Sequence, residues 1–297
     1  MDGFIGIDKP AGITSFDVIR KLRVILRERR MGHAGTLDPA ATGVLVVAVG
    51  RATRLLPDLP TEPKRYEFDI RFGAETDTLD ETGELIREGG EVPQQQQLHE
   101  VLGRFIGSTE QLPPRYSAVK VDGVRAYRRA RNKETFETKP RTVHVGELTL
   151  LDYDREQGRA HCRVVCSGGT YVRALARDVA AALGTYGYCA AIRRLAVGRF
   201  ALEQAVSLES PADAIRGGTL TFREAFDGCP QPRLEKEQVL ELSFGRPVKL
   251  EIDCGGKPVI AYTRTDELVA VLQLRDDGWY QPVRVFLSAS SLVGSDA

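Results

Sequence analysis

The chain has 297 residues, which is long enough for one large and one small domain or for two medium ones. Its composition, 42% hydrophobic and 28% charged, is ordinary for a soluble globular protein. Its 41 basic and 41 acidic residues balance, so the chain as a whole lacks the positive charge that phosphate binding favours. The amino terminus resembles no signal peptide, and the longest apolar stretch, Val44 to Val49, is too short to cross a bilayer. We therefore expect a cytoplasmic protein without membrane contact.

The first sixty residues alternate short elements with turns. Phe4 to Asp8 predicts a strand, and Thr14-Ser15 offers an N-cap for a helix that extends through Ile25. The glycine-rich segment 32–43 predicts a loop before a buried strand at 44–49. A helix is predicted over 52–59, ended by Pro60.

The middle of the chain predicts strands and two further helices. The expected elements are strands at 64–72, 143–153, 160–166 and 192–200, a polar loop at 73–83, and helices at 98–105 and 171–183. The segment from Pro113 to Pro140 predicts an extended basic insertion with a mobile tip.

The end of the chain predicts a separate small module. Two prolines in Cys229-Pro230-Gln231-Pro232 indicate a boundary, so we expect a domain at 1–229 and a β-rich module at 230–297. Its expected strands are 248–250, 259–262, 268–274 and 283–286. The mixed order of elements favours an α+β fold with a mostly antiparallel sheet over a doubly wound one.

The cysteines and histidines predict no metal site. The five cysteines are irregularly spaced, and the four histidines are scattered, so we expect buried free thiols. The sequence also lacks a phosphate-binding loop of the Walker type, a dinucleotide fingerprint and a nucleophile elbow. We therefore expect no cofactor.

Positive charge is concentrated in two segments despite the overall balance. Residues 115–141 contain nine basic and three acidic residues, and a second cluster of arginines and a lysine lies at 20–30. Such locally basic surfaces suit reversible contact with RNA, although a solvated surface would have the same composition.

Asp38 is the strongest candidate for catalysis. It precedes a proline in a glycine-rich loop that leads into a buried strand, an arrangement that suits a carboxylate presented into a cleft. The same Asp-Pro pair could simply cap a turn, and His33 in this loop could be a structural hydrogen-bonding residue.

Several motifs in order resemble the TruB family of tRNA pseudouridine synthases. They are the segments 8–15, 33–43, 64–66, 73–80, 113–120, 166–173 and 193–198, which span about the first two hundred residues. The resemblance implies a pseudouridine-synthase fold with a central mixed sheet and an RNA cleft across it. It also implies isomerisation of a uridine in the T stem-loop of tRNA, at position 55, by a monomer without a cofactor.

The resemblance also implies roles for individual residues. Asp38 matches the catalytic aspartate, and Tyr66 matches a tyrosine that stacks on the target uracil. The other RNA-binding or pocket positions are His33, Tyr171, Arg173 and Ile192, and the supporting positions are Lys9, Pro10, Leu37 and Leu195. Ile192 replaces the leucine that the family usually has there, which changes the branch point of one apolar wall. The basic segment 113–141 matches a thumb-like insertion, and the C-terminal module resembles a PUA-type RNA-binding domain that would hold the acceptor end of tRNA.

The chemistry of this reaction is consistent with a single carboxylate. Isomerisation breaks the N1–C1′ bond, turns the base and joins C5 to C1′, either through attack on C1′ or through loss of the 2′ proton. A nearby arginine such as Arg173 would keep the carboxylate ionised, unless it forms an ordinary surface pair. Without the motif context, Tyr66 would read as a core residue.

Two other functions fit parts of the sequence. A non-catalytic tRNA-binding or RNA-folding protein would keep the cleft, and a guide-RNA-dependent relative would act within a particle. A glycosidase would require a second acid opposite Asp38, and the sequence offers no obvious partner.

Overall fold

A computed structural model describes residues 1–287 as an α+β fold around one ten-stranded sheet. Within that range the strands, in chain order, are β1 Gly3–Lys9, β2 Met31–Ala34, β3 Thr42–Val49, β4 Lys64–Phe72, β5 Ala74–Thr76, β6 Leu85–Glu88, β7 Gly107–Gln111, β8 Lys120–Val121, β9 Val124–Arg125, β10 Arg141–Asp154, β11 Arg159–Cys166, β12 Gly187–Val197, β13 Phe200–Ala201, β14 Val206–Ser207, β15 Val259–Tyr262, β16 Leu268–Leu274 and β17 Tyr280–Val285. The α-helices are α1 Ser15–Leu26, α2 Gln95–Arg104, α3 Ala126–Arg131, α4 Val172–Ala182, α5 Ala212–Gly217, α6 Phe222–Ala225 and α7 Lys236–Ser243, with 3₁₀ helices at Gly50–Leu55 and Leu202–Gln204.

The central sheet is mixed and mostly antiparallel, as predicted. Its main path runs β14-β1-β3-β12-β4-β11-β10-β7, with β2 paired to β3 and β13 to β12. The β1–β14 and β3–β12 pairs are parallel, and the remaining pairs of this sheet are antiparallel. The β3–β12 pair joins the segment after residue 38 to the paired arginines of β12, and it therefore lies next to the candidate site.

The core is divided between the faces of this sheet. Alternate residues of β4, including Phe68 and Ile70, pack against α2 and α4 on one face. Helix α1 covers β1 and β3, because Val18, Ile19 and Leu22 repeat at helical spacing and are all buried. Thr14 and Asp17 form the capping box that fixes the start of this helix.

Most predicted elements are confirmed, but two in the first sixty residues are wrong in part, and the predicted loop at 73–83 contains the short strand β5, which pairs with β6. The predicted loop at 32–43 begins later, because residues 31–34 form β2 and pair with β3. The predicted helix at 52–59 is a 3₁₀ helix at Gly50–Leu55. Pro57 explains the second difference, since proline lacks the N–H that would continue the helical hydrogen bonding beyond Leu55.

The basic segment 113–141 is more ordered in secondary structure than predicted. It contains the β8–β9 hairpin and the one-and-a-half-turn helix α3, whose Ala126 and Ala130 are buried. Two guanidinium groups contact the Phe136 ring, that of Arg115 at 5.1 Å and that of Arg129 at 5.2 Å from the ring centroid. The predicted mobility of its tip stays a prediction.

The C-terminal region forms a small sheet, β15-β16-β17, with α7 packed beside it. The predicted strand at 248–250 is wrong, because only Val248 forms a bridge, to Tyr280; Pro247 just before it has no N–H to donate. Ile260 and Tyr262 of this region also pack with Phe4 and Phe226 of the larger part. The predicted boundary near residue 230 stays a prediction, and its last ten residues, 288–297, lie outside the described residues.

Two further predictions concern the whole chain. All five cysteines are free and buried, as predicted. No helix within residues 1–287 is long and apolar enough to span a bilayer.

Candidate active site

Asp38 lies in the loop between β2 and β3, and the residue before it anchors that loop. The Ser15 hydroxyl accepts a hydrogen bond from the Leu37 N–H at 2.9 Å and donates one to the Leu37 carbonyl at 3.1 Å. The Leu37 side chain is buried with the apolar face of α1. The backbone on one side of Asp38 is therefore fixed by both packing and hydrogen bonds.

Lys9 fixes the other side of this loop. Its side chain is fully buried at the end of β1, and its ammonium donates to the carbonyls of Pro10, Ile13 and Pro39 at 2.8, 2.8 and 3.1 Å. Burial lowers the pKa of Lys9 to about 8. Pro10 itself is exposed. Lys9 thus ties the turn before α1 to the residue after Asp38.

Arg173 forms the ion pair of the site. Its Nε lies 2.8 Å from Asp38 Oδ2, and the guanidinium also donates to the carbonyls of Thr78 and Tyr116. The Arg173 side chain is 4% exposed and that of Asp38 is 39% exposed, so the carboxylate is the accessible partner. The first turn of α4 therefore places a buried cation beside a partly exposed carboxylate.

Burial raises the pKa of Asp38 above its usual value. Arg173 opposes this rise, the nearby Asp80 carboxylate adds to it, and Lys9 opposes it weakly. The arginine that sequence reasoning expected near Asp38 is present, but desolvation is the larger effect. Asp38 is consequently a carboxylate of increased basicity held beside a fixed positive charge.

Asp80 is a site residue that sequence reasoning did not single out. Its Oδ2 lies 3.4 Å from Arg173 Nη1, and its Oδ1 accepts hydrogen bonds from the Thr78 hydroxyl and from the N–H and hydroxyl of Thr82. Arg173 therefore lies between two carboxylates. The motif at 73–80 was the only signal for this residue, and it assigned Asp80 no role.

Arg194 was also missed as an individual residue, although it belongs to a recognised motif. Its side chain is almost fully buried and donates to the carbonyls of Val44 at 2.7 Å and Gly35 at 2.9 Å. Gly43 must be glycine here, since its φ is +99° and a Cβ would lie 2.2 Å from the Arg194 carbonyl oxygen. Arg194 thus braces both ends of the Asp38 loop against β12.

Tyr66 lies next to this brace. It is 7% exposed, it pairs with Arg194 across β4 and β12, and the Arg194 guanidinium is close enough to oppose the rise of its pKa. Burial raises its pKa, so its hydroxyl is protonated at neutral pH. The site therefore presents a neutral phenol beside the Asp38 loop.

The remaining predicted residues surround this centre without a direct bond to Asp38 among the described residues. Tyr171 precedes α4, and its N–H and carbonyl both bond to the Gln111 side chain. Ile192 packs between two apolar clusters, and Leu195 lies at an irregularity in the pairing of β12 with β4. His33 is half-buried on β2, its Nδ1 has no partner within residues 1–287, and burial lowers its pKa.

Within the part of the chain that the structure describes, no group of three or more histidine, cysteine, aspartate or glutamate side chains is arranged to hold a metal ion. The charged groups at the centre are Asp38, Asp80, Arg173, Lys9 and Arg194. Such a set can hold an ionised carboxylate against a substrate sugar.

Lys9→Met should weaken both the fold and the site. Three carbonyls would lose their donor in a buried position, so we expect the free energy of unfolding to fall by about 2 kcal/mol. Because the Asp38 loop would be less well fixed, kcat should fall more than KM rises. Urea unfolding and RNA turnover measure the two effects, and wild-type values of both would contradict this role of Lys9.

Comparisons with known proteins find similarity to pseudouridine synthases. A family model described as TruB family pseudouridylate synthase, N-terminal domain, matches residues 23–172. The tRNA pseudouridine synthase B of Ehrlichia ruminantium is 43% identical over 209 residues, 70% of this chain and 71% of that one. The tRNA pseudouridine synthase B of Thermobifida fusca is 41% identical over 293 residues, 96% of this chain and 98% of that one.

A solved structure has the same architecture. A chain of a Cbf5-Nop10-Gar1 complex matches with a TM-score of 0.74 and 25% identity, covering 98% of this chain and 86% of that one. The fold built around Asp38 is therefore shared along nearly the whole chain.

Proposed function

The chain belongs to the TruB family of pseudouridylate synthases, and from this premise we propose that it isomerises uridine to pseudouridine in the T stem-loop of tRNA, at position 55. The names of its relatives, tRNA pseudouridine synthase B, support tRNA as the substrate. The observation that carries the proposal is the accessible Asp38 carboxylate, 2.8 Å from the buried Arg173 guanidinium.

Asp38 is the catalytic residue in this proposal. Its ionised carboxylate either attacks C1′ of the target nucleotide or removes the 2′ proton, and either route releases the base from its N1–C1′ bond. The freed uracil then turns and C5 bonds to C1′, which either displaces the Asp38 carboxylate or is accompanied by return of a proton to C2′. A proton leaves C5 and N1 takes one up in its place, so substrate and product have the same composition and the reaction is an isomerisation.

Tyr66 is proposed to hold the everted base. Flipping a stacked nucleotide out of an RNA loop costs a few kcal/mol, and stacking on an aromatic ring contributes about 1–3 kcal/mol per base. The phenol is buried and neutral, so its hydroxyl oxygen can accept a hydrogen bond and assist departure of the C5 proton. We propose that Tyr171, Ile192 and Leu195 line the same pocket and that His33 contacts the RNA beside the flipped nucleotide.

Larger surfaces are proposed to bind the rest of the tRNA. The thumb-like segment 113–141 has nine basic residues and would close over the T arm. The C-terminal module, which we propose begins near residue 230, would hold the acceptor end. We propose that the chain acts as a monomer in the cytoplasm, where its tRNA substrate would be found.

The pH dependence of the reaction should reflect the ionisation of Asp38. Because burial raises the pKa of this carboxyl above that of a free aspartate, activity should be lost, as pH falls, at a higher pH than 3.8, the usual aspartate value. The Asp80 carboxylate raises the pKa of Asp38, so removing its negative charge in Asp80→Asn should lower that pKa. The acidic limb of activity should then move to lower pH. A pH–rate profile of kcat/KM for both proteins measures this, and an unshifted limb would contradict the assignment.

Two other functions can be separated from this one by a single assay. A non-catalytic RNA-folding protein would bind tRNA without converting it, and a guide-dependent enzyme would need a second RNA. The purified chain is expected to release tritium from a T-arm transcript labelled at C5 of uracil, with no other component. Binding without tritium release would support the first alternative.

A further inference from the structure

Two cations outside the groups discussed so far lie against the turn that precedes α4. Lys64, the first residue of β4, is half-buried. Its Nζ lies 3.8 Å from the point that a Cβ would occupy if residue 168 had a side chain. The same Nζ lies 3.6 Å from the position of a Cβ on Gly35, in the loop that carries Asp38. One ammonium therefore faces both the catalytic loop and this turn.

Arg141 approaches the same turn from β10. Its Nη1 lies 3.3 Å from the position of a Cβ on Gly169, whose φ is +81°. Since neither Gly168 nor Gly169 has a side chain, no side chain of the turn itself separates its backbone from the two cations. The Arg141 residue is exposed, so its guanidinium is accessible from solvent.

The charges around Lys64 leave its ammonium without a strong partner. Burial and the Arg194 guanidinium both lower its pKa, while Glu62 has a small opposing effect. Neither Lys64 nor Arg141 forms an ion pair within residues 1–287. The nearby acid Glu62 uses its Oε1 to accept a hydrogen bond from the Gly168 N–H at 2.8 Å. A site of this kind is completed by an anion.

We propose that Lys64 and Arg141 bind RNA phosphates on either side of the flipped uridine. Lys64 and Tyr66 are two residues apart on one face of β4, about 7 Å along the strand. A single nucleotide can therefore stack on Tyr66 and extend its phosphate to Lys64, while Arg141 reaches the adjoining phosphate. This inference rests on the proposed function, and it assigns positioning residues for the RNA backbone.

The first test is the salt dependence of RNA binding. Lys64→Met and Arg141→Met, each in an Asp38→Asn background that prevents turnover, are titrated with a T stem-loop RNA at several salt concentrations. Each variant should bind about tenfold more weakly, and its slope of log K against log salt should be shallower by about 0.7–0.9, the value for one lost phosphate contact. Arg216→Met, on the distant helix α5, is the matched control and should leave the slope unchanged.

The second test locates the phosphate. T stem-loop RNAs with one neutral methylphosphonate linkage at a time are bound to the parent protein and to Lys64→Met. A neutral linkage next to the target uridine should weaken binding to the parent protein about as much as Lys64→Met weakens binding of unmodified RNA. Combining the neutral linkage with Lys64→Met should weaken binding no further. Losses that multiply at every linkage would overturn the proposal.

Glu62→Gln gives a prediction of the opposite sign. The amide can still accept from the Gly168 N–H, but the negative charge near the phosphate is removed, so RNA should bind more tightly. Weaker or equal binding would count against a phosphate here, even if the Lys64 variant failed to fold. If the wild-type chain neither binds nor converts T-arm RNA, the proposed function is wrong. If the wild-type chain binds and converts the RNA but the Lys64 and Arg141 variants have unchanged salt slopes, only the phosphate-binding proposal is wrong.

Discussion

Asp38→Asn is expected to reduce the rate of pseudouridine formation by about 10⁴-fold or more, while RNA binding changes by only a few-fold. The amide has nearly the same size as the carboxylate but can neither attack C1′ nor accept the 2′ proton. Single-turnover tritium release with excess protein measures the rate, and a binding titration measures the affinity. Retention of a substantial rate would remove Asp38 from its proposed role.

The structure of the variant also has to be controlled. The Asp38 loop is fixed through Leu37, Ser15 and Lys9 rather than through the carboxylate itself. In Asp38→Asn the buried Arg173 also keeps the Asp80 carboxylate and two loop carbonyls as partners. The urea unfolding midpoint of the variant should therefore fall only slightly below that of the wild type. A large loss of stability together with lost RNA binding would show that the residue is structural.

Arg173→Met is expected to have the second largest effect, on both activity and stability. It removes the cation that lies between Asp38 and Asp80 and that also donates to two loop carbonyls. Breaking a buried ion pair from one side is strongly destabilising, and since Asp38 is partly exposed we expect a loss of about 3 kcal/mol. The turnover rate should fall by about 10²-fold or more, because the carboxylate loses its orientation and its stabilising charge.

The pH profile distinguishes this electrostatic role from simple loosening. Arg173 lowers the pKa of Asp38, so its removal should raise that pKa further and shift the acidic limb of activity to higher pH. Arg173→Lys keeps the charge but lacks the planar guanidinium that reaches both carboxylates and both carbonyls. Its acidic limb should therefore lie close to the wild-type pH, while its turnover rate stays well below that of the wild type. An acidic limb at the wild-type pH in Arg173→Met would contradict the electrostatic role.

The general form of the fold follows well from local sequence patterns. The strand at 64–72 and the helix with Thr14 as its N-cap are predicted closely, because alternating burial and a capping box are properties of neighbouring residues. Two of the errors occur near a proline: Pro57 ends the hydrogen bonding of the 3₁₀ helix after β3, and Pro247 cannot extend the pairing of Val248 to the residue before it. Strand β2 was missed because its pairing with β3 is not a property of neighbouring residues.

The centre of the site was predicted only in part, for a related reason. Asp38 is visible in a local motif, but Arg194 reaches it through carbonyls about 150 positions earlier in the chain. Hydrophobic periodicity describes neighbouring residues and cannot predict a contact between residues so far apart in the sequence. Asp80 is similar, because its importance follows from the position of Arg173, and that position is set by the packing of α4 on the sheet.

The proposed role of Lys64 also could not be predicted from the sequence, because the sequence does not show which basic residues lie near the site. In the sequence it is one of 41 basic residues, and the chain has no net charge. In the fold it is one of the few cations that face the Asp38 loop, because β4 runs beside β11 and β12. Its proposed role depends on that neighbourhood rather than on overall charge.

The most direct test of the account is to map pseudouridine, nucleotide by nucleotide, in an unmodified tRNA transcript treated with the purified chain. The account predicts one pseudouridine, in the T loop, formed without a guide RNA and absent after treatment with Asp38→Asn. Conversion at other positions only, or equal conversion by the asparagine variant, would contradict it.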